Sequence, residues 1–249
     1  MKKHIDSIKL KIGTYIDRSN IISDIFINYY LKFFNHNEFH FLILDKNFDG
    51  VSDYLKTKGF SEDSFEKVEN SHIGVPILLK NQNSFVKKYT SEGFITVYVD
   101  IDEILYHSDL RNFIINNDYD FITPKGVVII PHLNEDVINE KNKILDQRSF
   151  CVLNDEYHSK VTVLRKEFEW SGGRHNKNNN KIFDNIFLID ISKCCPKIML
   201  DNNITSNHLY SKSTERYSMV DQKKIEDTLD GWRKRLTKLP DYIIDSKLF

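Results

Sequence analysis

Runs of apolar residues alternate with helix-like segments along the first half of the chain. Three runs, at 9–16, 39–44 and 94–99, predict strands. The runs at 39–44 and 94–99 are apolar nearly throughout, which indicates buried strands, and the run at 94–99 is rich in aromatic and β-branched residues, as in a strand buried on both faces. After the first run, apolar side chains recur at spacings of four, four and three, the pattern of one face of an amphipathic helix ending near residue 35. These side chains are Ile22, Phe26, Tyr30 and Phe33.

The same alternation continues beyond the second run. Residues 51–58 predict a short helix that stops at Gly59, a residue suited to the left-handed position after a helix end. A further apolar segment at 74–79 and a predicted helix at 83–91 lead into the run at 94–99. Strands that alternate with helices favour parallel βαβ units, so we expect an α/β fold with a mostly parallel central sheet.

Carboxylates follow the third run directly. Side chains two apart on an extended chain point the same way, so we expect Asp100 and Asp102 on one side and Ile101 and Glu103 on the other. Two carboxylates that close repel each other unless a cation neutralises them, and hard oxygen ligands suit Mg²⁺ or Mn²⁺, which in turn hold diphosphate. In the alternative interpretation, the acidic residues merely end a strand or cap a helix.

Two more carboxylates, Asp45 and Asp49, follow the run at 39–44. Ligands of such sheets bind outside the carboxyl ends of the strands, so we expect all four carboxylates at one edge. Turn formation by Asp49-Gly50 is the alternative. The glycine-rich loops that cradle phosphates with backbone amides do not occur in this part of the sequence, so a metal would neutralise the phosphates.

Composition narrows the class of protein. The 249 residues carry a formal charge of −1, with a pI near 6.8, so the chain has no overall electrostatic footprint for nucleic acid. It contains no apolar run long enough for a membrane helix and no secretory signal at its start, so we expect a cytoplasmic protein. The three cysteines fit neither a disulfide framework nor a zinc site, which indicates reduced structural thiols.

The order of these features resembles the glycosyltransferases of the GT-A fold, in particular family-2-like bacterial enzymes that carry an apolar strand followed by Asp-x-Asp-Glu. The similarity continues through a predicted helix at 110–114 and a strand and turn at 119–126, and covers roughly residues 8–215. Three short motifs then follow in the order seen in those enzymes: Asp146-Gln-Arg148, Tyr157-His-Ser-Lys160 and Trp170-Ser-Gly-Gly-Arg-His175.

The resemblance implies one glycosyltransferase domain over residues 1–249, built as a Rossmann-like α/β/α sandwich. Its nucleotide-binding half would span 8–105, its acceptor half 106–215, and a C-terminal helical extension 216–249. Asp45 and Asp49 would lie near the base and ribose of a sugar nucleotide, and Asp100 near the ribose and metal. Asp102 would bind Mn²⁺ or Mg²⁺ directly.

Two features depart from that family. Its first loop usually carries an Asn-Glu pair, whereas this chain has Asp17-Arg18-Ser19-Asn20, which places the nucleotide contact of that loop in question. Many relatives also complete the metal shell with a late histidine. Here either His208 or Asp190 would do so, and we rank His208 first.

The acceptor side offers several candidates. His175 follows a Gly-Gly turn, so it is either the catalytic base or a residue that shapes the acceptor pocket. Glu169 and the pair Asp155-Glu156 are alternative bases. For three further candidates, a ligand role and a structural role are alternatives. Arg148 and Lys160 would contact a diphosphate or an anionic acceptor, or else lie solvated at the surface; Trp170 would stack on a sugar, or else pack in the core.

Together these features predict a metal-dependent, inverting glycosyltransferase of polysaccharide or lipopolysaccharide biosynthesis. Its partners would be a nucleotide diphosphate sugar, with a UDP-sugar favoured, and a glycan or lipid-linked acceptor, but no nucleic acid. Basic pairs at 223–224 and 233–235 would allow peripheral contact with the inner face of a membrane. The alternatives are a sugar nucleotidyltransferase, whose glycine-rich first loop is not found at Tyr15–Asn20, and a catalytically silent carbohydrate-binding or scaffold domain.

Overall fold

The structure is a computed structural model that describes residues 8–69, 75–130, 150–153, 159–170, 182–192, 230–231 and 233–238. Within these residues the chain forms ten strands and four α-helices. The strands are β1 Lys9–Ile16, β2 Phe39–Leu44, β3 Phe65–Val68, β4 Phe94–Tyr98, β5 Glu103–Tyr106, β6 Phe121–Ile129, β7 Phe150–Leu153, β8 Val163–Leu164, β9 Ile182–Asp190 and β10 Thr237–Lys238. The helices are α1 Ile21–Tyr30, α2 Phe48–Thr57, α3 Val75–Ser91 and α4 Leu110–Asn116.

The first four strands form a parallel sheet in the order β3-β2-β1-β4. The chain moves outward from β1 through β2 to β3, and then α3 carries it back to the other side of β1. The predicted strands at 9–16 and 39–44 are confirmed with the same bounds. This half therefore has the βαβ organisation that the alternation of apolar runs predicts.

The remaining strands extend the sheet mainly in antiparallel fashion. Strand β8 pairs antiparallel with both β4 and β6, and β6 then pairs antiparallel with β7 and parallel with β9. Strand β5 pairs antiparallel with β9, and β10 pairs antiparallel with β7. The molecule is thus a mixed α/β fold in which the parallel part of the sheet lies among the N-terminal strands.

Helices cover both faces of the parallel strands. Side chains of α1, α2 and α4, among them Phe26, Leu55 and Leu110, share one apolar core with the Ile12 face of β1. Helix α3 covers the opposite face, where Phe85, Val86 and Tyr89 form a second apolar cluster. Three layers, α/β/α, result, as the resemblance implies.

Helix α3 lies unusually close to β1. A Cβ atom added at Gly13 would lie 2.5 Å from the Cζ atom of Phe85. One turn away on the helix, the ring of Tyr89 lies 5.3 Å from the ammonium of Lys11. Gly13 and Lys11, two residues apart on β1, thus face Phe85 and Tyr89, which are one turn apart on α3. The Phe85 ring fills the space that a side chain at Gly13 would occupy.

The boundaries differ from the sequence-based prediction at several places. Helix α1 ends at Tyr30 rather than near residue 35. The apolar segment 74–79 forms the first turns of α3 rather than a separate extended segment, and Pro76 fits there because the first turn needs no amide donors. Strand β3 lies at 65–68 and was not predicted, because two of its four residues are charged and the segment is not an apolar run. Helix α2 begins at Phe48, so Asp49 and Gly50 lie in its first turn instead of preceding it.

Two single residues, Gly59 and Cys151, are found as predicted. Gly59 adopts φ = +88° after α2, the left-handed conformation expected of it. Cys151 is a buried free thiol, and burial raises the pKa of that thiol to about 11, which keeps it protonated and unreactive. Among the described residues, no helix combines the length and the apolar character that a membrane span requires.

Candidate functional site

The order of the parallel strands reverses at β1, because β2 and β3 lie on one side of it and β4 on the other. Strand β2 lies on one side of β1 and β4 on the other, and both run parallel to it. The residues that follow these strands, Asp17, Asp45 and Asp100, therefore meet one edge of the sheet. Adjacent strands are about 4.8 Å apart, so the ends of β2 and β4 are separated by about 10 Å, with β1 between them. Such a switch point is where open α/β sheets bind ligands.

The acidic motif after β4 is a turn rather than an extended strand. The amide of Glu103 donates to the carbonyl oxygen of Asp100 at 3.0 Å, and the amide of Asp100 donates to Oε2 of Glu103 at 3.1 Å. These bonds reverse the chain before β5 begins at Glu103. The expectation that Glu103 faces away from Asp100 is therefore wrong, because alternation of side chains holds only in extended chain.

Lys160 links the two ends of this turn. Its Nζ atom lies 2.9 Å from Oδ2 of Asp100 and 2.5 Å from Oε1 of Glu103. Its side chain and that of Glu103 are buried, at 4% and 5% exposure. The segment that carries Lys160 is fixed beside the end of β4, since the amide of Tyr98 donates to the carbonyl oxygen of Thr162 at 2.8 Å.

Asp190, the last residue of β9, joins the same group. It lies opposite Glu103 in the antiparallel pairing of β5 with β9. The next residue, Ile191, donates its amide to the carbonyl oxygen of Asp102 at 3.0 Å. The amide of Ser192 donates to Oδ1 of Asp190 at 2.7 Å, which orients the carboxylate. The end of β9 is thereby held against the acidic turn.

The result is a cluster of four carboxylates around one ammonium, which we call the carboxylate cluster: Asp100, Asp102, Glu103, Asp190 and Lys160. The pKa of Asp102 rises to about 8, first because the group is desolvated and then because Asp190, Asp100 and Glu103 repel its negative charge. Lys160 acts in the opposite direction and does not offset this repulsion. The cluster therefore carries an excess of negative charge that favours a bound cation or proton.

The other predicted residues on the nucleotide side lie at the surface. Asp45 is exposed at the end of β2, with its Oδ1 atom 2.5 Å from Nζ of Lys67. Asp49 is exposed in the first turn of α2, where a carboxylate interacts favourably with the helix dipole. In the first loop, Asn20 caps α1 by accepting from the amide of Ser23 at 3.0 Å.

On the acceptor side, Trp170 is 2% exposed and packs against Tyr98 and Phe168, so the structure favours its core-packing alternative. Glu169, the adjacent residue, is exposed. Lys160 is not solvated at the surface, because its side chain is buried and forms ion pairs with Asp100 and Glu103. Arg148, His175 and His208 lie outside the described residues, as do Asp155 and Glu156.

Sequence reasoning did not identify Glu103 as part of the site, although it belongs to the quoted Asp-x-Asp-Glu motif. The sequence signal was present: an acidic residue in an otherwise apolar segment, Glu103–Tyr106, has to be paired when that segment is buried. The partner, Lys160, is 60 positions from Asp100, and a single sequence contains no information on that contact.

The described residues contain no set of three or more His, Cys, Asp or Glu side chains arranged to hold a metal ion together. A complete protein cage is not what Mg²⁺ requires in nucleotide sites, where one or two carboxylates suffice and phosphate oxygens and water supply the other ligands. Asp102 and Asp190 are hard oxygen donors, and they lie close enough for Asp190 to raise the pKa of Asp102. These two residues could therefore supply the one or two carboxylates that a Mg²⁺ ion needs when phosphate and water provide its other ligands.

No family model matches the sequence, and no curated protein matches it. Among solved structures, HddC from Yersinia pseudotuberculosis aligns with 77% of this chain and 97% of its own, at 12% identity and a TM-score of 0.39. The inositol-1-phosphate CTP transferase from T. maritima aligns with 88% of this chain and 97% of its own, at 13% identity and a TM-score of 0.39. S. aureus TarS aligns with 92% of this chain but 43% of its own, at 11% identity and a TM-score of 0.38. Likenesses this distant carry neither fold nor activity over to this chain.

Proposed function

We propose that the protein is a metal-dependent transferase of the glycosyltransferase type, which moves a sugar from a nucleotide diphosphate sugar to a glycan or lipid-linked acceptor. The observation that carries the proposal is the carboxylate cluster at the switch point of the parallel sheet. Four carboxylates and one ammonium converge there from the β4–β5 turn, from β9 and from the segment that carries Lys160. A bound divalent cation would relieve this repulsion and would also hold a nucleotide diphosphate at the ligand-binding edge of the sheet.

Asp102 and Asp190 would hold Mn²⁺ or Mg²⁺. When bound, the ion would act as a Lewis acid that stabilises the negative charge of the departing nucleotide diphosphate. Asp100 and Glu103 are engaged by Lys160. They would therefore position the turn rather than complete the metal shell, whereas the resemblance implies that Asp100 lies near the ribose and metal.

The nucleotide would lie across the carboxyl ends of β4, β1 and β2. Asp45, at the end of β2, would approach the base or ribose, and Asp49 lies one helical turn beyond it. The separation of about 10 Å between the ends of β2 and β4 leaves room for a nucleoside between the two acidic positions. The base that accepts the proton of the acceptor hydroxyl, with His175 and Glu169 as candidates, would approach from the acceptor side.

Calorimetric titration of UDP in the presence and absence of Mn²⁺ tests the proposal. We expect UDP to bind only when Mn²⁺ is present, and Asp102→Asn to abolish that metal-dependent binding. Asp53→Asn, which removes an exposed carboxylate from α2, is the matched control and should bind like the wild type. A parallel screen of nucleotide sugars for hydrolysis with Mn²⁺ would identify the donor.

Other outcomes of the same experiments distinguish the alternatives. Release of pyrophosphate from a nucleoside triphosphate and a sugar phosphate would identify a sugar nucleotidyltransferase. Absence of nucleotide binding under every metal would favour a silent carbohydrate-binding or scaffold domain. Normal Mn²⁺-dependent binding by Asp102→Asn would remove the carboxylate cluster from the mechanism altogether.

A further inference from the structure

A cavity lies at the opposite end of β9 from Asp190. It has a volume of about 340 Å³ and lies between the end of α4 and the first residues of β9. Sites for small molecules occupy roughly 300–1,000 Å³, so a ligand of one or two rings fits. Ile182 and Asp190 pair with Thr123 and Val128 of β6, five residue steps apart, so roughly 17 Å of strand separates this cavity from the carboxylate cluster.

The cavity walls expose aromatic and aliphatic surface. Of the large apolar side chains that the described part of the chain leaves exposed, namely Tyr119, Leu153 and Ile182, two line this cavity. Tyr119 is the most exposed, at 47%, and its ring is held by a T-shaped contact with Phe183 at a centroid distance of 4.7 Å. A ring that is fixed in orientation while nearly half of its surface stays open is a platform on which a ligand can stack.

An irregularity in β9 adds polar groups beside that platform. In the pairing with β6, Phe183 lies opposite Pro124, but the next paired residue, opposite Lys125, is Phe187. The three residues between them bulge from the strand, and two of these, Asp184 and Asn185, line the cavity together with Asn117. Bulges of this kind re-aim side chains and recur next to functional sites.

The charge of the lining restricts the ligand. Asp184 is the charged residue among the lining side chains, none of which is basic. Its nearest described cation, Lys125, lies 4.0 Å away. Lys125 does not line the cavity, so a phosphate or other anion bound there would meet the Asp184 carboxylate first, and nucleotides and acidic glycans are disfavoured. A purely apolar ligand would leave the carboxamides and the carboxylate desolvated.

We propose that this cavity is a carbohydrate-binding subsite for a neutral glycan. The apolar C–H face of a pyranose would pack on the Tyr119 ring, and its hydroxyls would exchange hydrogen bonds with Asn117, Asp184 and Asn185. The subsite is separate from the carboxylate cluster and needs neither metal nor nucleotide. It would hold a remote part of a glycan chain, and it would do so equally in a protein without transferase activity.

Saturation-transfer difference NMR on the full chain, with cellotriose, maltotriose and chitotriose as probes, tests the proposal. We expect at least one of these neutral trisaccharides to bind, with the transfer strongest at the C–H protons of one ring face. Tyr119→Ala should weaken that binding about tenfold, whereas Tyr119→Phe should retain it because the stacking surface remains. Asn185→Ala, which leaves the ring in place, should weaken binding through the lost hydrogen bonds.

Two controls separate this subsite from the rest of the molecule. Leu153→Ala removes an exposed apolar side chain elsewhere and should bind like the wild type. Asp102→Asn should also retain trisaccharide binding, so failure of the metal-site proposal would leave this one standing. The proposal is overturned if none of the three trisaccharides binds, if Tyr119→Ala binds unchanged, or if trigalacturonate binds better than the neutral probes.

Discussion

At the scale of single residues, the dominant feature is an imbalance of charge. Lys160 neutralises part of the carboxylate cluster. Burial, and then repulsion from the other three carboxylates, raise the pKa of Asp102 to about 8. The usual pKa of an aspartate is about 3.9, so the folded protein retains a proton there that the unfolded chain loses. Charge on this one side chain therefore couples pH to stability.

The sign of that coupling gives a prediction for chelated, metal-free protein. Between about pH 4 and pH 8 the folded state binds the extra proton, so stability falls as the pH rises through this window. Asp102→Asn removes the titration and should melt a few degrees above the wild type at pH 8–9, with a difference that shrinks toward pH 5. Melting curves across this pH range check it. A difference that does not vary with pH would contradict it.

Lys160 gives the converse prediction. Because Lys160 and Glu103 are both buried, Lys160→Met leaves a carboxylate without its cation, a change that typically costs about 3–5 kcal/mol of folding free energy. Adding Glu103→Gln should restore a large part of that loss, because the uncompensated charge is then removed. Urea denaturation of the two single variants and the double variant measures the coupling. Additive losses would show that the ion pair is not what stabilises the turn.

At the scale of elements, the contact between β1 and α3 depends on the absence of a side chain. The Phe85 ring occupies the space above Gly13 and is itself packed by His40, Tyr89 and Tyr98, with ring centroids 5.0–5.6 Å away. The ring therefore has little freedom to move aside. The spacing between helix and sheet is set at this position.

Gly13→Ala tests that dependence. The added methyl group would force α3 outward and should cost about 1–3 kcal/mol, the usual range for overpacking a core. Combining it with Phe85→Leu, which shortens the opposing side chain, should leave the protein more stable than Gly13→Ala alone. Chemical denaturation of Gly13→Ala, Phe85→Leu and the double variant measures these differences. If Gly13→Ala were as stable as the wild type, the close approach would not exist in solution.

Strands were predicted correctly from sequence where most of their side chains are buried. Prediction failed where a strand carries charged residues or where the chain reverses direction. Strand β2 is buried along its whole length and β1 along most of it, and the bounds of both were predicted correctly. Strand β3 has two exposed charged residues in four, Glu66 and Lys67, so periodicity could not find it. The acidic turn was read as strand because the apolar run before it continues after it, in β5, and the hydrogen bonds that reverse the chain leave no trace in composition.

At the scale of the whole molecule, the proposed ligands would act as stabilisers. A ligand that binds the native state at 100 times its dissociation constant adds about 2.7 kcal/mol, and for a chain of this size about 2–4 °C accompanies each kcal/mol. UDP with Mn²⁺ should therefore raise the melting temperature by about 5–10 °C, and UDP alone should not. Thermal scans with Asp53→Asn as the responsive control and Asp102→Asn as the unresponsive variant check this. Equal shifts in both variants would disconnect the effect from the carboxylate cluster.

The position of Asp190 at the end of β9 has a consequence for synthesis. A nascent chain that has not yet reached Ile182 already contains the whole Asp-x-Asp-Glu motif, and it can contain Lys160, yet it lacks the strand that pairs with β5. The crowding of charge thus arises late, after the parallel strands have had time to form. Asp190 therefore begins to repel Asp102 only after the parallel strands and their helices have been synthesised, when the N-terminal core can already form.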